Sequence, residues 1–190
     1  RALSFTGSVA VGHAVRNEAT ARNCRVQLEL GGHNPFIVMA DAELDRAAEA
    51  AFAGAFWSAG QKCTATRRIL VQDAVYDAFR EKLLARIASA KVGDPADPAT
   101  EVGPVVAAGP YEEIMAAIER GKSEGGTVAA GGVRADETGY LSAPTVFEAE
   151  NVMPSGYDGA HPVVRYTANG EANEIACDFI AGCDGFHGIS

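Results

Sequence analysis

The sequence predicts an α/β chain, and three observations carry that expectation. Leu3 to Thr6 reads as a short strand and is followed by a helix-like segment. Arg25 to Leu30 alternates apolar and polar residues. Val75, Phe79, Leu83 and Ile87 recur every four residues, as on one face of a helix. Strands that alternate with helices imply a largely parallel sheet.

Taken in order, the first strand stops at Gly7-Ser8, and Ser8 is placed to cap a helix over Val9 to Ala21. In the next strand Val26, Leu28 and Leu30 share one face, with Gln27 and Glu29 on the other. Gly31-Gly32 breaks it. Phe36 to Ala40 reads as a buried-type strand, and Asp41 as the cap of a long helix from about Ala42 to Trp57. Gly60-Gln61-Lys62-Cys63 is the turn after that helix, and Arg68 to Gln72 the strand that follows. Val75 to Ala90 is an amphipathic helix, and Val92 to Pro98 a loop punctuated by Pro and Gly. Tyr111 to Glu124 gives another helix, Thr127 to Ala130 a strand, and Tyr140 to Phe147 an extended run. Asn151 to Gly159 reads as loop. Val163 to Ala168 and Glu174 to Ala181 form a hairpin about Asn169-Gly170.

Composition narrows the function classes. The chain of 190 residues is 47% hydrophobic, with a formal charge of −9 and a pI near 4.9. Such a charge repels phosphate backbones and anionic headgroups, which argues against nucleic-acid or membrane partners. No apolar run approaches the roughly 20 residues that span a bilayer, and the first residues lack the sections of a signal peptide. The chain opens inside a strand without a starting Met, so upstream residues are expected. Cys24, Cys63, Cys177 and Cys183 form no CxxC pair and have no zinc-finger spacing, so neither a metal nor a disulfide framework is expected. Reduced thiols and a cytoplasmic location follow from that.

Two residues stand out chemically. Cys63 sits at a turn near Lys62, Arg67 and Arg68, cations that could favour a thiolate. A single cysteine is more often a small buried hydrophobe. Glu29 ends a strand before two glycines, where it is either a solvated carboxylate or, if buried, a group able to take a proton near neutral pH. The residues alone leave both pairs of alternatives open. At Gly7-Ser8 a strand end opens a helix, where main-chain N–H groups and the helix dipole favour a pyrophosphate, with Gly12 following at helical distance. No GxGxxG or Gly-Lys-Ser/Thr run is present.

Glu29-Leu30-Gly31-Gly32 and Gly60-Gln61-Lys62-Cys63 resemble the two signature motifs of the NAD(P)-dependent aldehyde dehydrogenase superfamily. Ser4 to Ser8, Asn34 to Val38, Lys91 to Pro95, Gly103-Pro104, Gly139-Tyr140 and Pro144 to Phe147 are similar to family landmarks and occur in the family's order. The resemblance covers about residues 1–150 and implies a partial aldehyde dehydrogenase fold. Residues 1–30 would end a Rossmann-like dinucleotide-binding domain, and residues 31–150 would form part of a catalytic domain. It implies Cys63 as the nucleophile and Glu29 as general base. It also implies that Ser8, with Gly7, meets the phosphates of NAD or NADP, while Leu30 and Gly31 lie near the nicotinamide. A small aldehyde would be the substrate, oxidised through a thiohemiacetal and a thioester. The Gly60 to Thr66 run resembles bacterial members that act on semialdehydes.

Two parts of the family pattern are missing. The strands that hold the adenine ribose would precede Arg1, and the glutamate-phenylalanine-glycine-proline stretch expected after Phe147 is replaced by Glu148 to Gly156. Instead Ala176 to Gly188 resembles the Asp-Gly fingerprint of FAD-dependent aromatic hydroxylases of the 4-hydroxybenzoate 3-hydroxylase group, with Asp184 and His187 as matching residues. Residues 151–190 are therefore expected to be a flavin-hydroxylase-like tail, with FAD as its cofactor if the tail reflects the true family. Two resemblances to different families imply a fused chain, joined between about Ala149 and Asp158. A partial sheet has unpaired edges and open apolar faces, so self-association is expected.

Overall fold

The computed structural model describes residues 1–137, 139–155, 163–168 and 171–176, and from residue 150 onward it describes the backbone path. The chain divides into two compact units, Arg1–Phe79 and Arg80–Ser190.

The first unit is two successive strand–helix–strand pieces. β1 (Ala2–Gly7), α1 (Val9–Ala21) and β2 (Arg25–Leu30) make one, with β1 and β2 paired in parallel. Ser8 caps α1 as its sequence predicts, its side chain accepting the Val11 N–H at 3.4 Å. β2 alternates between exposed and half-buried positions, with Val26, Leu28 and Leu30 on the covered face. Gly12 of α1 lies against Leu30: a Cβ there would fall 2.6 Å from the leucine Cδ2. A larger residue at this position would force the Leu30 side chain to shift.

β3 (Asn34–Val38), α2 (Leu44–Phe56) and β4 (Thr66–Val71) make the second piece, again a parallel pair. Its core is better filled. Val38, Ala48, Ala51, Phe52 and Ala65 are all buried, and the Phe52 and Phe56 rings lie 5.5 Å apart. The helix cap differs from expectation. Glu43, not Asp41, caps α2, its carboxylate accepting from the N–H groups of Asp45 and Arg46. Residues 39–42 form a bend, so the helix starts later than its apolar pattern suggests. β3 is also not fully buried. Val38 is 1% exposed, but Ile37 and Met39 are 45% and 54% exposed, so α2 covers one face only. Ile37 stands opposite Leu70, itself exposed, on the open face.

The division between units falls within α3 (Tyr76–Ser89), which carries the buried Phe79, Leu83 and Ile87 of the predicted stripe. In the second unit α4 (Ala108–Ser123) begins three residues before the expected Tyr111, because Pro110 is tolerated in a first turn. β5 (Thr127–Ala130) pairs antiparallel with β6 (Val146–Glu148). The expected extended run over Tyr140 to Phe147 narrows to β6 and an isolated bridge between Arg134 and Ser142. Tyr111 is buried beneath the Arg134 guanidinium, 5.0 Å from its ring, and its hydroxyl donates to the Leu141 carbonyl at 3.4 Å.

β7 (Glu150–Ser155), β8 (Val163–Ala168) and β9 (Glu171–Ala176) form an antiparallel three-stranded sheet in that order. Two hairpin strands were expected here; β9 starts before Glu174, and residues 177–181 of the expected second strand lie outside the described residues. Asn169-Gly170 lies outside the described residues, as do Asp184 and His187. β7 corrects the expected loop over residues 151–155, the rest of that expected loop lying outside the described residues: Pro154 suggests a break, but a proline is accommodated on an edge strand, and β7 is one. The largely parallel sheet is likewise corrected. Parallel pairing is found in residues 1–79, and each pair from residue 127 onward is antiparallel.

Candidate active site

The two motif segments meet at a cleft of the first unit. β1 and β2 run parallel and in register, so Thr6 pairs with Glu29 and Gly7 with Leu30. Both strands therefore end at the same level, and Gly31-Gly32 leads the chain off that edge. Ligands of open α/β sheets sit outside the carboxyl ends of such strands. An open cleft of about 290 Å³ lies there, with Thr6, Gly7, Glu29 and Leu30 to Gly32 on one side and Gln61 to Cys63 with Arg67 on the other.

The thiol arrives by a strained route. After α2 the backbone turns left-handed for three residues, with φ of 58° at Ser58, 52° at Ala59 and 68° at Gly60. Non-glycine residues in this region cost of order 1 kcal/mol each. Gly60 is buried, and a Cβ on it would lie 2.8 Å from the Ala55 carbonyl, so the motif glycine is required by geometry. The chain then folds into a tight turn closed by the Ala65 N–H on the Lys62 carbonyl at 3.1 Å, with Cys63 at its second position. Ala65 is 1% exposed and anchors the turn, whereas Cys63 is exposed on it.

Strand geometry aims the surrounding cations. Asn34 pairs with Thr66, but Pro35 pairs with Arg68, so β4 carries one extra residue, Arg67. Proline has no N–H for the ladder, and bulges re-aim side chains beside sites. Arg67 lines the cleft and donates to the Gly60 carbonyl at 3.1 Å. Arg68 turns elsewhere, donating to the His33 carbonyl at 2.7 Å. Of the three cations expected near the thiol, Lys62 and Arg67 therefore face the cleft.

The predicted residues are placed as follows. Cys63, Glu29, Gly7, Leu30 and Gly31 all line the cleft. Glu29 is exposed and accepts from the Gln27 side-chain amide at 3.1 Å, so the buried strand end considered above is not what this fold builds. Ser8 is not among the lining residues; its hydroxyl serves as the α1 cap. Sequence reasoning missed Thr6, which the register opposite Glu29 could have revealed, and the roles of Arg67 and Asn34, which depend on pairing between distant segments.

The residues present are compatible with the pyrophosphate part of a dinucleotide. Gly7 precedes the N-terminus of the 13-residue α1, which has no acidic residue in its first turn to repel a phosphate. A Cβ on Gly31 would meet nothing within 4 Å, which leaves its side of the cleft open to a ring. Among the described residues, no group of three or more His, Cys, Asp or Glu could hold a metal ion. No helix among them is long and apolar enough to cross a membrane.

The chain is similar to known proteins. Residues 1–155 match the family model described as aldehyde dehydrogenase family, and residues 135–190 match one described as FAD binding domain. The chain is 42% identical over 151 residues to the alpha-ketoglutaric semialdehyde dehydrogenase of Bacillus subtilis strain 168, covering 77% of this chain and 31% of that protein. Among solved structures it is similar to a mutant aldehyde dehydrogenase from Bacillus cereus, with 40% identity and a TM-score of 0.73 over 76% of this chain and 29% of the other. An NAD+ complex of aldehyde dehydrogenase from Bacillus cereus is similar at 40% identity and a TM-score of 0.72, again over 76% and 29%. The chain thus spans about a third of the length of the curated relatives it matches.

Proposed function

The chain belongs to the aldehyde dehydrogenase family, and from that premise we propose that its function is to oxidise a small aldehyde to a carboxylic acid with NAD or NADP. One observation carries the reading: the fold brings Glu29 and Cys63, far apart in the chain, to the same cleft. In the proposed reaction the Cys63 sulfur bonds to the aldehyde carbon, and the carbonyl oxygen becomes an oxyanion. The Cys63 main-chain N–H is a candidate donor to it. Gly7 and the first turn of α1 would hold the pyrophosphate, with Leu30 and Gly31 beside the nicotinamide; the bound dinucleotide supplies the hydride acceptor. Glu29 then takes a proton from the water that releases the acid from the sulfur.

On the same reading, residues 1–30 end a cofactor domain and residues 31–150 form part of a catalytic domain. Residues 151–190 are a tail of flavin-hydroxylase descent, so the chain is a fusion. The match of residues 135–190 to an FAD binding domain supports that descent, and the alternatives are a fragment of an FAD-dependent aromatic hydroxylase and a non-catalytic fused fragment. The exposed Ile37, Met39 and Leu70 support self-association, and the reduced thiols a cytoplasmic location.

The test is hydrolysis of p-nitrophenyl acetate without cofactor by the chain and by Cys63→Ser. Ester cleavage uses the thiol and the deacylating water but needs no hydride acceptor. The expected result is loss of at least about a thousandfold in kcat/KM in the variant. Equal rates would sink the reading.

A further inference from the structure

We propose that Asn34 is a positioning residue for the Cys63 nucleophile, acting through the main chain of the thiol turn. The inference rests on the reading of Cys63 above. Two peptide planes meet at the Cys63 Cα, and together they set where the sulfur and the main-chain N–H point. The plane before it contains the Lys62 carbonyl, which is held by the Ala65 N–H at 3.1 Å. The plane after it contains the Cys63 carbonyl, which accepts from Asn34 Nδ2 at 2.6 Å. The same nitrogen donates to the Ala65 carbonyl at 3.0 Å. One amide therefore spans the turn and fastens the plane that the turn's own hydrogen bond leaves free.

The anchor itself is firm. Asn34 is half-buried at the first position of β3 and pairs with Thr66, just past the turn. Arg68 reaches back to the His33 carbonyl, so the strand start is tied to β4 from both sides. Asn34 does not line the cleft; it touches two carbonyls and not the sulfur. It also stands two residues after Gly32, at the end of the segment that carries Glu29. Nucleophile and base are thereby referred to a common point.

A residue with this role governs the geometry of attack and not the affinity for substrate, because misplacement by about 1 Å costs on the order of a hundredfold in rate. The experiment is steady-state hydrolysis of p-nitrophenyl acetate by the full chain, Cys63→Ser, Asn34→Ala and Asn34→Ser. Asn34→Ala is expected to lower kcat by about tenfold to a hundredfold, with KM changed by less than about twofold. Asn34→Ser keeps one donor and recovers part of the loss. A folded Asn34→Ala with wild-type kcat, or with only KM raised, overturns the proposal and leaves the thiol reading intact. Cys63→Ser that hydrolyses as well as the wild type removes that reading and the proposal with it. If circular dichroism shows both Asn34 variants unfolded, Asn34 is structural and the proposal fails.

Discussion

Around the cleft in residues 1–79, polar side chains donate to main-chain carbonyls: Asn34 to Cys63 and Ala65, Arg67 to Gly60, Arg68 to His33. In residues 80–148, Arg80 meets Glu148, Arg86 meets Glu101, Arg134 meets Glu112 and Lys122 meets Glu119. The two regions are fastened by different chemistry. A carbonyl does not titrate, so the ties near the thiol are indifferent to acid through the carboxylate range. A carboxylate must be ionised to hold its cation, and surface pairs of this kind contribute at most about 1 kcal/mol each. The thiol turn itself is thus held by packing and by neutral acceptors, while Glu29 and Lys62 line the cleft.

Packing supplies the largest test of that contrast. Phe52 is fully buried against Phe56 in the piece that carries the thiol. Phe52→Ala is expected to cost about 3–5 kcal/mol, read as a lower urea midpoint, with ester hydrolysis lost alongside. A loss below about 1 kcal/mol would mean the core beneath β3 is not what holds the turn in place.

The glycine contact in the first piece gives a smaller effect. Gly12→Ala improves helix propensity by about 1 kcal/mol but drives a methyl into Leu30. Overpacking of this kind costs about 1–3 kcal/mol, so the variant is expected to be destabilised on balance. Leu30 adjoins Glu29, and hydrolysis should slow as well. Chemical denaturation and the same ester assay check both. A stabilised variant would show that α1 does not press on β2 as described.

Acid gives the smallest effect, read in the second region. The Arg86 guanidinium holds the Glu101 carboxyl below its ordinary range, and Lys91, helped by the Ala99 N–H, does the same for Asp97. A lowered folded pKa means that the stabilisation is present above the unfolded carboxylate pKa and is lost as pH falls through the folded one. Amide resonances of residues 91–102 should therefore hold through the ordinary carboxylate range and shift only towards the acid end of a titration from pH 6 to pH 3. A transition completed within the ordinary carboxylate range would mean that Arg86 and Lys91 do not hold these carboxylates as described.

Much of the first piece was legible because its signals are local. Ser8, the helix after it and the alternation of β2 each involve residues within one turn or one strand, and all were found at their predicted positions. The α2 cap was harder, since Asp41 and Glu43 are both acidic and only the bend over residues 39–42 decides between them. Pro154 hid β7, because a proline reads as a break until the strand is known to lie at an edge. The two motif segments could be picked out in the sequence, but the hold of Asn34 on the thiol turn could not. It joins residues 29 and 31 positions apart, and no periodicity reports such a contact.

The extra residue in β4 separates length from register. Pairing on either side of Arg67 is that of an uninterrupted parallel ladder, with Thr66 opposite Asn34 and Arg68 opposite Pro35. A chain one residue shorter at this point could keep each of those partners, yet it would lack the local twist that a bulge adds and would present its thiol turn at another angle. Substitutions at Arg67 and deletion of Arg67 are therefore unlike events. The first changes what faces the cleft, and the second changes the direction in which the whole turn is presented, so tolerance of the one carries no information about tolerance of the other.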